Sequence, residues 1–381
     1  LLLLGKGTLR YYHDIQAIEQ LTPQERVGLA AVTEQFAFRA NDYYLSLIDW
    51  DDPADPVRRI IIPDTEELEG WGRLDPSDEE AYTVLPGLEH KYPSTALLLV
   101  SNVCEGICRY CFRKRVFIVP QKEAIQDVSA AIDYIASHPE ITNVLLTGGD
   151  PLSLSTGKLE QVISGLRRIE HVQIIRIGTR MPVFNPFRIL DDSSLAEMIS
   201  QYSLPNKRIY VMTHFCHPKE LTEAACAGVD KLLRAGAILT NQCPLIRGVN
   251  DDPDTLAALL RRLSFAGIVP YYLFQCRPAL GNRAYTVPIE EGYAIYEAAK
   301  AQVSGLAKRV RFVMSHATGK MEILARTETK VFFKYHRAAN PDDSGKVLVC
   351  ESNPTACWLD DYEEILREYP SQMPYRMYGP E

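Results

Sequence analysis

Apolar positions along the chain keep two different rhythms. Across residues 9–47 they recur at helical spacing, and Pro23-Gln-Glu-Arg marks the opening turn of one helix there. Residues 50–95 are rich in Asp, Pro and Gly and read as a loop-heavy linking region. From residue 96 the rhythm changes. Apolar runs at 96–101, 143–147, 172–178, 207–213, 237–242 and 269–274 read as strands. Periodic stretches near 122–137 and 157–168, and others between the later strands, read as helices. Six apolar runs separated by helices predict an α/β fold of parallel βα units, an incomplete (β/α)6 barrel.

The expected division is an N-terminal helical and linking region over 1–95, the barrel over 96–320 and a small appendage over 321–381. In that appendage Val331-Phe-Phe-Lys-Tyr335 and Lys346-Val-Leu-Val-Cys350 read as short strands. No internal repeat or low-complexity tract interrupts the pattern. Residues able to do chemistry cluster where the strands end: Cys104, Gly148-Gly149-Asp150, Arg180, His214, Gln242 and Gln275. Parallel barrels place their active sites at that end.

Composition narrows the class. The chain has 381 residues with a net charge of -8, which argues against a general nucleic-acid binder, since counterion release needs clustered Lys and Arg. The opening Leu-Leu-Leu-Leu is too short to span a bilayer or form the core of a signal peptide. Cys216, Cys226, Cys243, Cys276, Cys350 and Cys357 are scattered, as reduced thiols in a cytoplasmic protein would be.

Three further cysteines are not scattered. Cys104, Cys108 and Cys111 follow the first barrel strand in the run Asn102-Val-Cys-Glu-Gly-Ile-Cys-Arg-Tyr-Cys-Phe-Arg-Lys-Arg115. Three thiolates can hold three corners of a [4Fe-4S] cluster and leave the fourth iron open to a ligand. Structural zinc, which takes four ligands, and chance clustering of buried cysteines are the alternatives. Gly148-Gly149-Asp150, one βα unit later, is either a tight turn or a place where a ligand approaches the backbone closely.

The spacing CxxxCxxC, with Tyr110 before the last cysteine, resembles the radical S-adenosylmethionine (SAM) superfamily. A more specific likeness runs from about residue 90 to residue 320. It is carried by Cys111-Phe-Arg-Lys-Arg, Val144-Leu-Leu-Thr-Gly-Gly-Asp150, Arg176-Ile-Gly-Thr-Arg180, Thr213-His-Phe-Cys-His-Pro218, Asn241-Gln242, Arg247-Gly-Val-Asn-Asp251 and Pro270-Tyr-Tyr-Leu-Phe-Gln-Cys276. Together these resemble the lysine 2,3-aminomutase family. The resemblance implies a [4Fe-4S] cluster on the cysteine triplet and SAM on its open iron. Gly148, Gly149, Asp150, Arg180, His214 and Gln242 then match cofactor-side positions. It also implies pyridoxal 5′-phosphate on Lys320, in Ser315-His-Ala-Thr-Gly-Lys320, and a substrate carboxylate on Arg113. The implied reaction moves an amino group from the α-carbon to the β-carbon.

Three departures from the family pattern carry information. Lysine-specific members hold the distal ammonium with two aspartates, and here those positions are Arg277 and, within one residue, Ser315. A cation there favours a carboxylate tip. The expected substrate is therefore an acidic amino acid, glutamate first, unless Arg277 merely pairs with a neighbouring carboxylate. The family's pair of phosphate-binding arginines before the first strand is replaced by Lys91 and Thr95. The family's zinc site has only Cys350 and Cys357 here, with Asp252 at a partner position, so no zinc is expected.

The leading expectation is a SAM- and pyridoxal-phosphate-dependent 2,3-aminomutase. The alternatives are a radical SAM enzyme of the same fold without pyridoxal phosphate, and a non-catalytic iron–sulfur protein. Expected partners are a small amino acid substrate and an electron donor such as flavodoxin or ferredoxin, with a homo-oligomer possible. Neither nucleic acid nor membrane is expected as a partner.

Overall fold

Local rules set the first elements. Thr22 accepts from the Glu25 amide at 3.2 Å while Glu25 accepts from the Thr22 amide at 2.7 Å, and this capping box starts the helix Pro23–Gln35. The rest of 9–47 is less helical than its spacing suggests: Tyr11–Tyr12 pairs with Ala40–Asn41, and only Asp42–Leu45 is helical after that. The computed structural model describes residues 9–118, 124, 125, 127–363 and 365–369. The opening leucines and the start of the helix expected from 122 lie outside them; within them that helix is Val128–Ala136.

The six expected strands form as Thr95–Ser101, Asn143–Gly148, Ile174–Thr179, Ile209–Thr213, Ile238–Leu245 and Val269–Gln275, all parallel in sequence order. Their apolar residues alternate with others because one face meets the helices. Val144, Leu146, Ile175, Ile177, Ile209 and Val211 are all buried on that side. The helix Thr156–Arg167 returns Leu159, Val162, Ile163 and Leu166 to the same core, at a spacing that makes one apolar stripe. Each such side chain contributes roughly 1.5–3 kcal/mol by burial.

The sequence pattern missed a seventh parallel strand, Arg311–His316, beside Val269–Gln275. It turns directly into the antiparallel strand Gly319–Arg326, followed by Lys330–Ala338, Val347–Glu351 and Ile365–Tyr369. Lys320 therefore lies in the strand that follows this seventh one. At the other edge, Thr83–Leu85 and Leu88–Tyr92 add two antiparallel strands from the region that reads as loop. Among the described residues the sheet does not close into a barrel by backbone pairing. Side chains reach across the gap instead, from the antiparallel N-terminal strands to the end of Arg311–His316: Lys91 Nζ donates to the His316 carbonyl at 2.9 Å and Tyr82 Oη to the Ala317 carbonyl at 3.0 Å. No helix among the described residues is long and apolar enough to cross a membrane.

Candidate active site

The carboxyl ends of the strands and the bridged edges enclose one cavity of about 390 Å³. It is lined by all three clustered cysteines, by Gly148, Gly149, Asp150, Arg180, His214 and Gln242, and by Lys91, Thr95, Arg113, Arg277, Ser315 and Lys320. Every candidate site residue named from the sequence thus meets at one place.

The cysteine loop is pinned from behind by the N-terminal region. Ile107 donates its amide to the Arg39 carbonyl and Arg109 to the Ile60 carbonyl, both at 2.9 Å. The Arg109 side chain forks onto Glu67 at 2.9 and 2.8 Å, a buried bidentate pair. The two glycines after the second strand let that turn press against the loop. A Cβ on Gly149 would lie 2.4 Å from the Val103 carbonyl oxygen, and the Asp150 amide donates to that same oxygen at 2.7 Å.

The three thiols are buried enough that desolvation raises all of them, Cys111 to about 11. Among the described residues no three His, Cys, Asp or Glu groups converge as on a single metal ion. A [4Fe-4S] cluster makes no such demand, because each thiolate binds its own iron. The donor set of three cysteines on one cavity wall fits that group.

Two expected contact residues serve the framework. Asp150 accepts from Thr179 Oγ1 at 2.6 Å, from the Arg180 amide at 2.7 Å and from the Leu152 amide at 2.9 Å, tying two strand ends together. Burial raises its acid to about 6 in spite of those bonds. Arg180 donates to Cys108 Sγ and Tyr110 Oη, each at 2.6 Å, and pairs with buried Glu220. His214 Nε2 lies 3.2 Å from Tyr110 Oη.

Across the cavity, Arg113 is gripped by Glu79 through Nε at 3.0 Å and Nη2 at 2.8 Å, and Nη1 donates to Thr147 Oγ1 at 3.1 Å. Glu79 also pairs with Arg115 at 2.6 Å, and Arg277 Nη1 lies 3.8 Å away. Burial would raise the Glu79 acid, but Arg113, Arg115 and Arg277 outweigh it and hold it at about 2. Arg277 stacks 3.6 Å above the Phe112 ring, and its Nη1 has no hydrogen-bond partner.

Lys320 sits over the Tyr272 ring at 4.2 Å, surrounded by cations. Burial first, then Arg176, Arg277, Arg337 and Lys91, push its amine far below the ordinary lysine range. A neutral, buried amine amid positive groups is what a lysine needs to condense with the aldehyde of a phosphorylated cofactor. These residues fit pyridoxal phosphate.

Glu79, Glu89, Arg176, Arg337, Tyr272 and His336 also line the cavity, and sequence reasoning gave none of them a role. Arg176 and Tyr272 were present in the motif stretches. The other four had no local signal, because their place depends on which strands pair.

Comparison with known proteins agrees with this geometry. The radical SAM superfamily model matches residues 98–260, the stretch holding the cysteine triplet and strands two to five. A protein of Aquifex aeolicus (strain VF5) named "Putative L-lysine 2,3-aminomutase" is 54% identical over 371 residues, 97% of this chain and 99% of its own. The L-lysine 2,3-aminomutase of Clostridium subterminale is 38% identical over 304 residues, 79% of this chain and 71% of its own. The chain belongs to the lysine 2,3-aminomutase family of radical SAM enzymes. It is therefore an isomerase of the aminomutase kind, built around a [4Fe-4S] cluster and SAM, taking a small-molecule substrate and an electron from a reductant. Within the family, similarity alone leaves the substrate open. The glutamate 2,3-aminomutase of Clostridioides difficile (strain 630) is 35% identical over 297 residues, 77% of this chain and 68% of its own, close to the value for the lysine enzyme. Only the residues facing the substrate can discriminate.

Proposed function

We propose that this aminomutase is pyridoxal-phosphate-dependent and isomerises an acidic α-amino acid, glutamate first and aspartate second, to its β-amino isomer. The observation that carries the reading is Arg277, whose guanidinium lines the cavity where lysine-specific relatives place an aspartate; its Nη1 makes no hydrogen bond and has only a 3.8 Å ion pair with Glu79. A buried unbonded guanidinium nitrogen is costly unless a ligand satisfies it. A side-chain carboxylate does so, whereas the ammonium of lysine would be repelled.

When bound, the cluster and SAM supply a hydrogen-abstracting radical, and pyridoxal phosphate supplies a π-system that spreads the unpaired electron. Cys104, Cys108 and Cys111 hold the cluster, and Gly148, Gly149, His214 and Gln242 border the SAM site. Asp150 and Arg180 act one step back, fixing the strand ends and the Cys108 thiolate. Arg113 takes the α-carboxylate: Glu79 occupies its Nε/Nη2 edge, which leaves one N–H on each terminal nitrogen to form a second fork. Lys320 would hold the cofactor through its amine, within reach of the substrate amine in the same cavity. Ser315, paired in register with Lys320, lines the same wall as a neutral neighbour of the substrate tip. A small electron-transfer protein such as flavodoxin or ferredoxin suits the reductant.

The test is Arg277→Asp in the reconstituted holoenzyme. The expected result is a loss of roughly 2–5 kcal/mol in kcat/KM for the acidic substrate, the scale of a lost buried charge contact. Unchanged glutamate and aspartate turnover in that variant would remove Arg277 from substrate selection.

A further inference from the structure

Thr95 opens the first barrel strand at a position where the family resemblance leads one to expect an arginine for the cofactor phosphate. The structure brings a guanidinium back to this place from a distant part of the chain. Arg337 Nη2 donates to Thr95 Oγ1 at 3.1 Å and to Ser94 Oγ at 3.1 Å, and the guanidinium lies 4.3 Å over the Tyr92 ring. Arg337 belongs to Lys330–Ala338 in the C-terminal extension of the sheet, where it is the register partner of Lys320. Directly opposed residues of an antiparallel pair project from the same face, so both side chains reach the same cavity.

The pairing is built closely. Gly319 has φ +152°, and a Cβ there would lie 2.4 Å from the Arg337 carbonyl oxygen. Only glycine lets the two strands approach so near at that point. The remaining N–H groups of Arg337, on Nε and Nη1, have no hydrogen bond within the chain among the described residues. Arg176, whose Nε donates to Asn143 Oδ1 at 2.8 Å, and Lys91, whose Nζ donates to the His316 carbonyl, lie on the same wall. Among the described residues no carboxylate pairs with Arg337, Arg176, Lys91 or Lys320. A concentration of half-buried cations with no carboxylate ion-paired to them suits a phosphate monoester dianion, and a guanidinium fork binds one bidentately.

We propose that Arg337 is the principal guanidinium anchor for the phosphate of pyridoxal phosphate in this chain, replacing the arginine absent at Thr95. The C-terminal strands thereby complete the cofactor site rather than merely extending the sheet. This rests on the reading that the cofactor joins Lys320.

The experiment compares pyridoxal phosphate with pyridoxal, which lacks the phosphate, by the near-visible absorbance each gains on condensing with lysine. Wild type, Arg337→Gln, the double variant Arg337→Gln with Thr95→Arg, and Lys320→Ala are titrated in the cluster-loaded protein without substrate. Arg337→Gln should weaken pyridoxal phosphate roughly 10- to 100-fold, the scale of one charged hydrogen-bonded contact, and leave pyridoxal unchanged. Unchanged pyridoxal binding also reports an intact fold. Thr95→Arg in the double variant should recover at least tenfold of the loss. An unaltered preference for the phosphorylated form in Arg337→Gln overturns the role of Arg337 and leaves the cofactor reading intact. No Lys320-dependent absorbance in wild type would overturn the cofactor reading itself, and this inference with it.

Discussion

Glu79 grips Arg113 with both carboxylate oxygens, at 2.8 and 3.0 Å, and thereby fixes which edge of that guanidinium faces the cavity. The same carboxylate pairs with Arg115. One acid from the N-terminal region thus sets the geometry of the arginine-rich wall, including the residue assigned to the substrate α-carboxylate.

Replacing Glu79 by Gln leaves buried guanidiniums facing one another. Breaking a buried ionic cluster from one side costs about 3–5 kcal/mol, which a denaturant titration of wild type and variant would read. The acid is held at about 2 in the folded protein, below its unfolded value. Its contribution is therefore present above the usual carboxylate range and is lost as pH falls toward 2.

Glu89 behaves in the opposite way. Burial, and then the nearby Glu79 charge, raise it to about 8. Its folded form binds a proton that the unfolded chain has released, so its contribution is complete below the ordinary carboxylate pKa and declines as pH rises through 8. Glu89→Gln should match wild-type stability at pH 5 and exceed it at pH 9. Equal stability curves at both pH values would place Glu89 in a more solvated setting than its burial implies.

Burial and the neighbouring cations favour the neutral amine of Lys320 at a cost in stability. Below the ordinary lysine pKa the unfolded chain holds a proton there that the folded chain does not, so stability climbs as pH rises toward that value. Lys320→Met should stabilise the cofactor-free protein by about 0.5–2 kcal/mol at pH 7 while abolishing turnover. Urea titrations should show the gap narrowing at pH 9.

Much of the barrel was legible because long apolar runs in parallel strands are hard to mistake. The cysteine triplet and the Gly-Gly-Asp turn were legible because each is a short run read from local spacing. The seventh strand escaped because Arg311-Phe-Val-Met-Ser-His316 is short and bounded by polar residues, giving neither a long run nor a clean alternation. Glu79 and Glu89 stood in an Asp- and Pro-rich stretch that reads as loop; their burial follows from arginines that arrive later in the chain. Arg337 lay two residues beyond the strand read at 331–335, and only the pairing of Lys320 with Arg337 decides where it points.

The most direct measurement of the central claim is a competition. Reconstituted enzyme, SAM, pyridoxal phosphate and a strong reductant are mixed anaerobically with equimolar glutamate, aspartate and lysine, and the β-amino products are quantified by mass spectrometry. An acidic β-amino acid as the dominant product is the predicted result, made at the expense of that substrate alone. Dominant β-lysine would contradict the account, because an arginine would then be facing an ammonium with no penalty.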